Sequence, residues 1–197
     1  MSKYISIDLE ATGLDQNDLI IEFAAVPVCS DSRKVDHANS FHTYIECPSF
    51  EELLPNLNPW VAEHNKELII KSHEEGISLE NFKNQFFDYL KSSELNDYIN
   101  KDRKFVLLGK SLNAIDLPFL NRDLGWQQMR DHFSHQVLDV SGFVRSLIDS
   151  KKIPEECIKG SELALFLEMG EVKHTALEDA VQTAEIYFKL LDLLSDK

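Results

Sequence analysis

Basic residues are scarce in this chain: 20 lysines and arginines stand against 34 aspartates and glutamates, a formal net charge of −14 at pH 7. Tight, non-specific binding of long duplexes is therefore not expected, because phosphate neutralisation by lysine and arginine supplies most of that affinity. Short oligonucleotides held through a metal site and local contacts fit the balance, since bound divalent ions would neutralise part of the acidity. No stretch reaches the roughly 18 apolar residues a membrane helix needs, so no membrane partner is expected. A strand-like run begins at Lys3 and Tyr4 and leaves no room for a targeting segment, which makes a cytoplasmic location the default expectation. The three cysteines, Cys29, Cys47 and Cys157, lie far apart and form no CxxC pair, so they read as reduced, structural thiols. No repeat, low-complexity tract or linker interrupts the chain, and residues 1–197 read as one domain.

What is present changes period along the chain. From Lys3 to Leu9 the pattern alternates, with Ile5, Ile7 and Leu9 on one face and Tyr4, Ser6, Asp8 and Glu10 on the other. A turn at Thr12-Gly13-Leu14-Asp15 leads to the apolar run Leu19 to Val26, and Ser40 to Ile45 predicts a third strand before Cys47-Pro48. Three strands with short links suggest an antiparallel meander. Helical spacing then takes over at Asn58-Pro59-Trp60 and again at Leu79, Phe82, Phe86 and Leu90. Phe105 to Leu108 reads as a short buried strand ended by Gly109. Asp116 to Leu124 reads as a helix closed by Gly125, and Val137-Leu138 as a strand leading into a helix near Asp139. A long helix is expected from Ala176 to about Leu194. The fold class expected is α/β: a mixed sheet flanked by helices.

Asp8 and Glu10 are the sharpest local feature. Two apart on a strand, they point to the same face, where neighbouring carboxylates repel and are costly to desolvate. A divalent cation between them relieves that cost, and Mg²⁺ accepts a few carboxylates while keeping positions for water and phosphate oxygens. The plain alternative is a strand end running into a solvated turn. Ala11-Thr12-Gly13-Leu14 supplies a small-residue turn whose backbone N–H groups and hydroxyl can approach a sugar-phosphate end, with Leu14 either against a terminal base or in the core. Asp116 starts a helix, where an N-cap is the commoner role for aspartate. His174 precedes the last helix, and Asp179 falls in its first or second turn.

The segments D-L-E-A-T-G (8–13), D-L-P-F-L (116–120) and H-T-A-L-E-D (174–179) resemble, in order and spacing, the three motifs of DEDDh-type 3′→5′ exonucleases, of ribonuclease H-like fold. His174 and Asp179 match the histidine subtype. Within that family the oligoribonuclease pattern is similar at 7–14, at Ile20-Ile21-Glu22 and at 133–141. Trp60 and His64 are similar too, although their spacing differs. The chain departs from the pattern at Ala11, where relatives often carry Thr or Met. It departs also before Asp116: Asn113 lies closer than the usual asparagine, and Ser111 is a candidate for that place. Ser134-His135-Gln136 stands where oligoribonuclease carries H-Y-R.

The resemblance implies a sheet with three antiparallel strands first and parallel strands after them. It implies two divalent cations, Mg²⁺ or Mn²⁺, with Asp8, Glu10 and Asp179 at the one that activates water, Asp8 bridging to the second, and Asp116 supporting it. His174 is then the general base, its imidazole suited by a pKa near 6.5. Glu10 and the Ala11-Thr12-Gly13 backbone would hold the 3′ sugar, with Leu14 nearby. Trp60 can stack a base, worth ~1–3 kcal/mol, or pack in the core. The implied partners are a single-stranded or short oligonucleotide, RNA favoured, and a second copy of the chain as a homodimer. A DNA-directed proofreading or repair exonuclease and a catalytically silent binding module are the rival expectations.

Overall fold

The structure, a computed structural model, describes residues 3–98, 104–170 and 175–195. Its sheet follows from the alternation at the start of the chain. β1 (Lys3–Ala11) buries Ile5, Ile7 and Leu9 on one face and turns Tyr4, Ser6, Asp8 and Glu10 to the other. β2 (Ile20–Cys29) is apolar throughout except for Glu22, and it is buried along nearly its whole length because both of its faces are covered. It pairs antiparallel with β1, and its other edge takes first β4 (Phe41–Tyr44) and then the two-residue β3 (Lys34–Val35). β5 (Leu107–Gly109) joins the free edge of β1 in parallel, and β6 (Leu138–Asp139) joins β5 in parallel. The order is β3-β2-β1-β5-β6 with β4 beside β2: antiparallel first, parallel after, as expected from the sequence.

Helices cover both faces. On the Ile5–Ile7–Leu9 face lies α4 (Leu79–Leu90), whose Phe82 and Phe86 meet Phe23 of β2 at ring-centroid distances of 5.1 and 4.9 Å. The opposite face is covered by α10 (Ala176–Ser195), with α8 (Val140–Asp149) and α9 (Gly160–Phe166) alongside. Ala176, Ala180 and Ala184 recur every four residues on α10, so one stripe of small side chains, 0% exposed, lets the helix sit close to the sheet. A third cluster (Ile21, Cys47, Phe50, Val61, Ile69) is formed with α1 (Phe50–Leu53), α2 (Pro59–His64) and α3 (Lys66–Glu75), and α5 (Ser93–Tyr98) follows α4. Cys47 and Cys157 are buried, Cys29 half-buried, and all three are free thiols.

The region before and after Asp116 differs in detail from expectation. α6 (Asp116–Leu120) is short. A π-helical turn at Asn121–Gly125 follows, and the chain runs on into α7 (Trp126–His132). Gly125, at φ +98°, is thus a corner between two helices, not a terminus, and only glycine takes that conformation freely.

Candidate active site

β1 delivers its polar residues to the helix-covered face in a row. Ser6, fully buried, donates a 2.6 Å hydrogen bond to the Ala180 carbonyl of α10. Beyond it on the same face stand Asp8 and Glu10, and between Glu10 and Ala11 the register with β2 slips in a β-bulge, a device that re-aims side chains at strand ends. From α10 comes Asp179, fourth residue of the helix. Carboxylate oxygens of Asp8, Glu10 and Asp179 all lie within 4.8 Å of one another. Asp116, 4% exposed at the start of α6, lies near enough for its charge to act on Asp8 but is not one of the three mutually close carboxylates; its own carboxylate accepts backbone N–H groups of its own residue and of Leu9. Asp116 is therefore the first helical residue, with Ile115 at the cap position.

The electrostatics are those of crowded, half-dry carboxylates. Burial, then the charges of Asp116, Asp179, Glu10 and Glu22, push the Asp8 carboxyl well above its ordinary range. Glu10 is pushed to about 7 by burial and by Asp179 and Glu22, against a hydrogen bond from Asn65 that favours its charged form. Asp116 is pushed to about 7, chiefly by burial and with a contribution from Asp139, while its backbone hydrogen bonds work the other way. Clustered oxygen donors whose ionised forms repel one another suit a hard divalent cation, which Mg²⁺ and Mn²⁺ both are. A cavity of about 850 Å³ opens from Asp8 and Asp179 between α8, α9 and α10, with Lys110, Ser141 and Gln182 on its wall.

The turn after β1 is internally tied. Thr12 is 3% exposed and its hydroxyl accepts from Leu19 N–H and donates to Asp18, so it is occupied within the turn. A side chain on Gly13 would meet the Asp18 carboxylate at 2.3 Å, which is why glycine stands there. Leu14 is 75% exposed, so it is not a core residue. Trp60 is 58% exposed on α2, stacked on His64 at 4.3 Å between ring centroids; core packing of Trp60 is excluded. His174 lies outside the described residues. Thr175, next to it, caps the start of α10: its hydroxyl accepts from the Glu178 N–H and donates to the Glu178 carboxylate.

Ser111 adopts a left-handed φ of +59°, its N–H bound to Asp139 and its hydroxyl to Ser141, while Asn113 points into a separate cavity walled by Leu117, Trp126 and Arg130. Three participants escape sequence reasoning. Asn65 donates to Glu10 and to the Ala11 carbonyl from the junction of α2 and α3. Glu22, fully buried, pairs with the partly exposed His42 at 2.6 Å. Only Glu22 carried a signal, a lone acid inside an apolar run.

A mixed sheet of this order, covered by helices and carrying an acidic cluster at the end of its first strand, defines a nuclease of ribonuclease H-like fold. A family model described as an exonuclease, of the RNase T kind, matches residues 5–187, and the chain belongs to that family. Its fold is one shared by DEDDh-type 3′-exonucleases, and its acids form a group that could hold a metal ion. Among solved structures, cell-death related nuclease 4 superposes with a TM-score of 0.73 at 16% identity, over 96% of this chain and 64% of that one. The nuclease domain of 3′hExo, a DEDDh family member bound to rAMP, gives 0.65 at 17% identity, over 96% and 92%. S. pombe Pop2p, in a form bound to Mg²⁺ and Mn²⁺, gives 0.64 at 14% identity, over 94% and 81%. At these identities the likeness is one of fold. This chain spans 64% of the length of cell-death related nuclease 4. No curated protein matches the chain significantly. No helix of the described residues is long and apolar enough to cross a membrane.

Proposed function

We propose that this protein removes nucleoside 5′-monophosphates one at a time from the 3′ end of single-stranded or short oligonucleotides, with RNA favoured. The observation that carries the reading is the convergence of Asp8, Glu10 and Asp179 within 4.8 Å, from a strand and a helix far apart in sequence. These three would hold one divalent cation. Asp8, with Asp116 behind it, would face a second. Bound there, two such ions supply an activated water and charge neutralisation at the scissile phosphate and leaving 3′-oxygen.

The chain's own residues do the rest. His174, two residues before α10, takes the proton from the attacking water at an imidazole nitrogen. Glu10, steadied by Asn65, and the tied turn at Ala11-Thr12-Gly13 hold the terminal sugar. Exposed Leu14 and Trp60 offer apolar and aromatic surface to unstacked bases, which stacking on aromatic side chains favours. The net charge of −14 supports short substrates over long duplexes. Ribose preference is supported by the rAMP bound to 3′hExo, and the divalent ions by the Mg²⁺ and Mn²⁺ of Pop2p.

The test is digestion of matched 5′-labelled RNA and DNA, from dinucleotides upward, with Mg²⁺ or Mn²⁺ and a chelator control. Stepwise shortening from the 3′ end, faster on RNA and abolished by chelator, is expected. Faster DNA cleavage would transfer the substrate to DNA, and no cleavage with either ion would leave a binding module. His174→Ala should lose ~10²–10⁴-fold in turnover while Mn²⁺ binding persists.

A further inference from the structure

Glu22 is 0% exposed near the start of β2 and stands directly across from Glu10 in the β1–β2 register. Like charges opposed on neighbouring strands are destabilising. The Glu22 charge also adds to the repulsion felt by Asp8 and Glu10, so packing alone does not account for an acid here. Both of its oxygens are engaged. One lies 2.6 Å from His42 Nε2, and the other accepts a 3.1 Å bond from the backbone N–H of Ala176. Ala176 is the first residue of α10, where helical N–H groups lack partners within the helix and the positive end of the helix favours an anion. His42 reaches Glu22 because β4 pairs with β2 so that Glu22 faces Tyr44, which places His42 on the same face as a diagonal neighbour. The His42 ring rests edge-on against Tyr44 at 5.0 Å.

Two buried bonds thus join α10 to the sheet: Glu22 to Ala176, and Ser6 to the Ala180 carbonyl. Asp179 lies between them in the same turn of helix. We propose that Glu22, oriented by His42, is a positioning residue that sets the height and rotation of α10 so that the Asp179 carboxylate meets Asp8 and Glu10. Divalent-ion affinity then depends on a residue that does not itself join the ligand cluster. The proposal deepens the nuclease reading and rests on it for turnover; its effect on ion affinity can be measured without substrate.

The experiment compares Glu22→Ala, Glu22→Gln and His42→Ala with the wild type in Mn²⁺ titration calorimetry, and in kcat and KM on a labelled oligonucleotide across Mn²⁺ concentrations. Glu22→Ala should weaken Mn²⁺ binding and lower kcat, each by ~10–100-fold, with KM little changed at saturating ion. Glu22→Gln keeps an acceptor for Ala176 and should restore most of both. His42, with 27% of its side chain exposed, can be truncated without opening the core; His42→Ala should show a smaller loss of the same kind, and it carries the test if Glu22→Ala does not fold. Wild-type ion affinity and turnover in folded Glu22→Ala or His42→Ala, or a fall in thermal stability alone, would overturn the proposal. So would a Glu22→Gln as damaged as Glu22→Ala. If the wild type cleaves nothing but the variants still lose Mn²⁺, the nuclease reading fails and the positioning role stands.

Discussion

Asp8 carries a heavy electrostatic load, since it is half-buried and feels the charges of four other acids. Replacing it with Asn removes one charge from the cluster at nearly constant volume. In the absence of divalent ions Asp8→Asn should therefore raise stability, by on the order of 1 kcal/mol, while turnover falls at least ~100-fold because a ligand is lost. Calorimetric melting in EDTA beside the nuclease assay checks both; a lower melting temperature in EDTA would contradict the repulsion argument. Gly13 makes a different point about a single residue. A methyl group there would strike Asp18, whose carboxylate holds Thr12 and the Asp15 N–H. Gly13→Ala should cost about 1–3 kcal/mol in urea denaturation. Such a displaced turn should also raise KM more than it lowers kcat.

At the scale of elements, α10 is where stability and chemistry meet. Its alanine stripe fits it against β1 and β2, and its start is capped twice: by Thr175 with Glu178, and by Glu22 from the sheet. Removing the local cap in Thr175→Ala should cost ~1 kcal/mol, read from denaturant midpoints at unchanged m-value, while most of the ion affinity is kept by Glu22. Ala180→Leu should be worse, ~1–3 kcal/mol, because the added carbons lie where the helix touches the sheet. An Ala180→Leu protein as stable as wild type would mean that the helix can move away, against the close fit seen here.

For the whole molecule, the acid cluster couples pH, ions and folding. Glu10 and Asp116 titrate at about 7 in the folded protein against ordinary values of 4.5 and 3.8. Between those limits the folded state binds more protons than the unfolded one, so the site's contribution to stability falls as pH rises from about 4 to about 7 and stays low above that. The melting temperature of the ion-free wild type, taken relative to Asp116→Asn, should drop across that window. A difference that instead grows with pH would refute the assignment. Saturating Mn²⁺ should raise the melting temperature more at pH 8 than at pH 5, because ions bind the ionised carboxylates.

Much of this was readable from local pattern. The alternation at Lys3 to Leu9, the apolar run of β2 and the spacing of Phe82, Phe86 and Leu90 reflect which side of an element faces apolar neighbours, and that is written in the period of the sequence. The acids of the cluster were readable as three short motifs. α3 was not: Leu68, Ile69 and Ile70 are adjacent, so no helical stripe stands out, and its burial depends on the layer it meets. β3 is two residues long and exists only as a partner to the end of β2. Asn65 was invisible and Glu22 showed only as a lone acid in an apolar run, because what they do is defined by Ala176, His42, Glu10 and Ala11, which are distant in sequence and adjacent only after folding. The sequence by itself determined the strongly periodic elements and the acids, since periodicity and residue chemistry are local. Only the tertiary structure decided how a strand and a helix 170 positions apart are held so that their carboxylates meet, because that depends on hydrogen bonds between groups no local pattern connects.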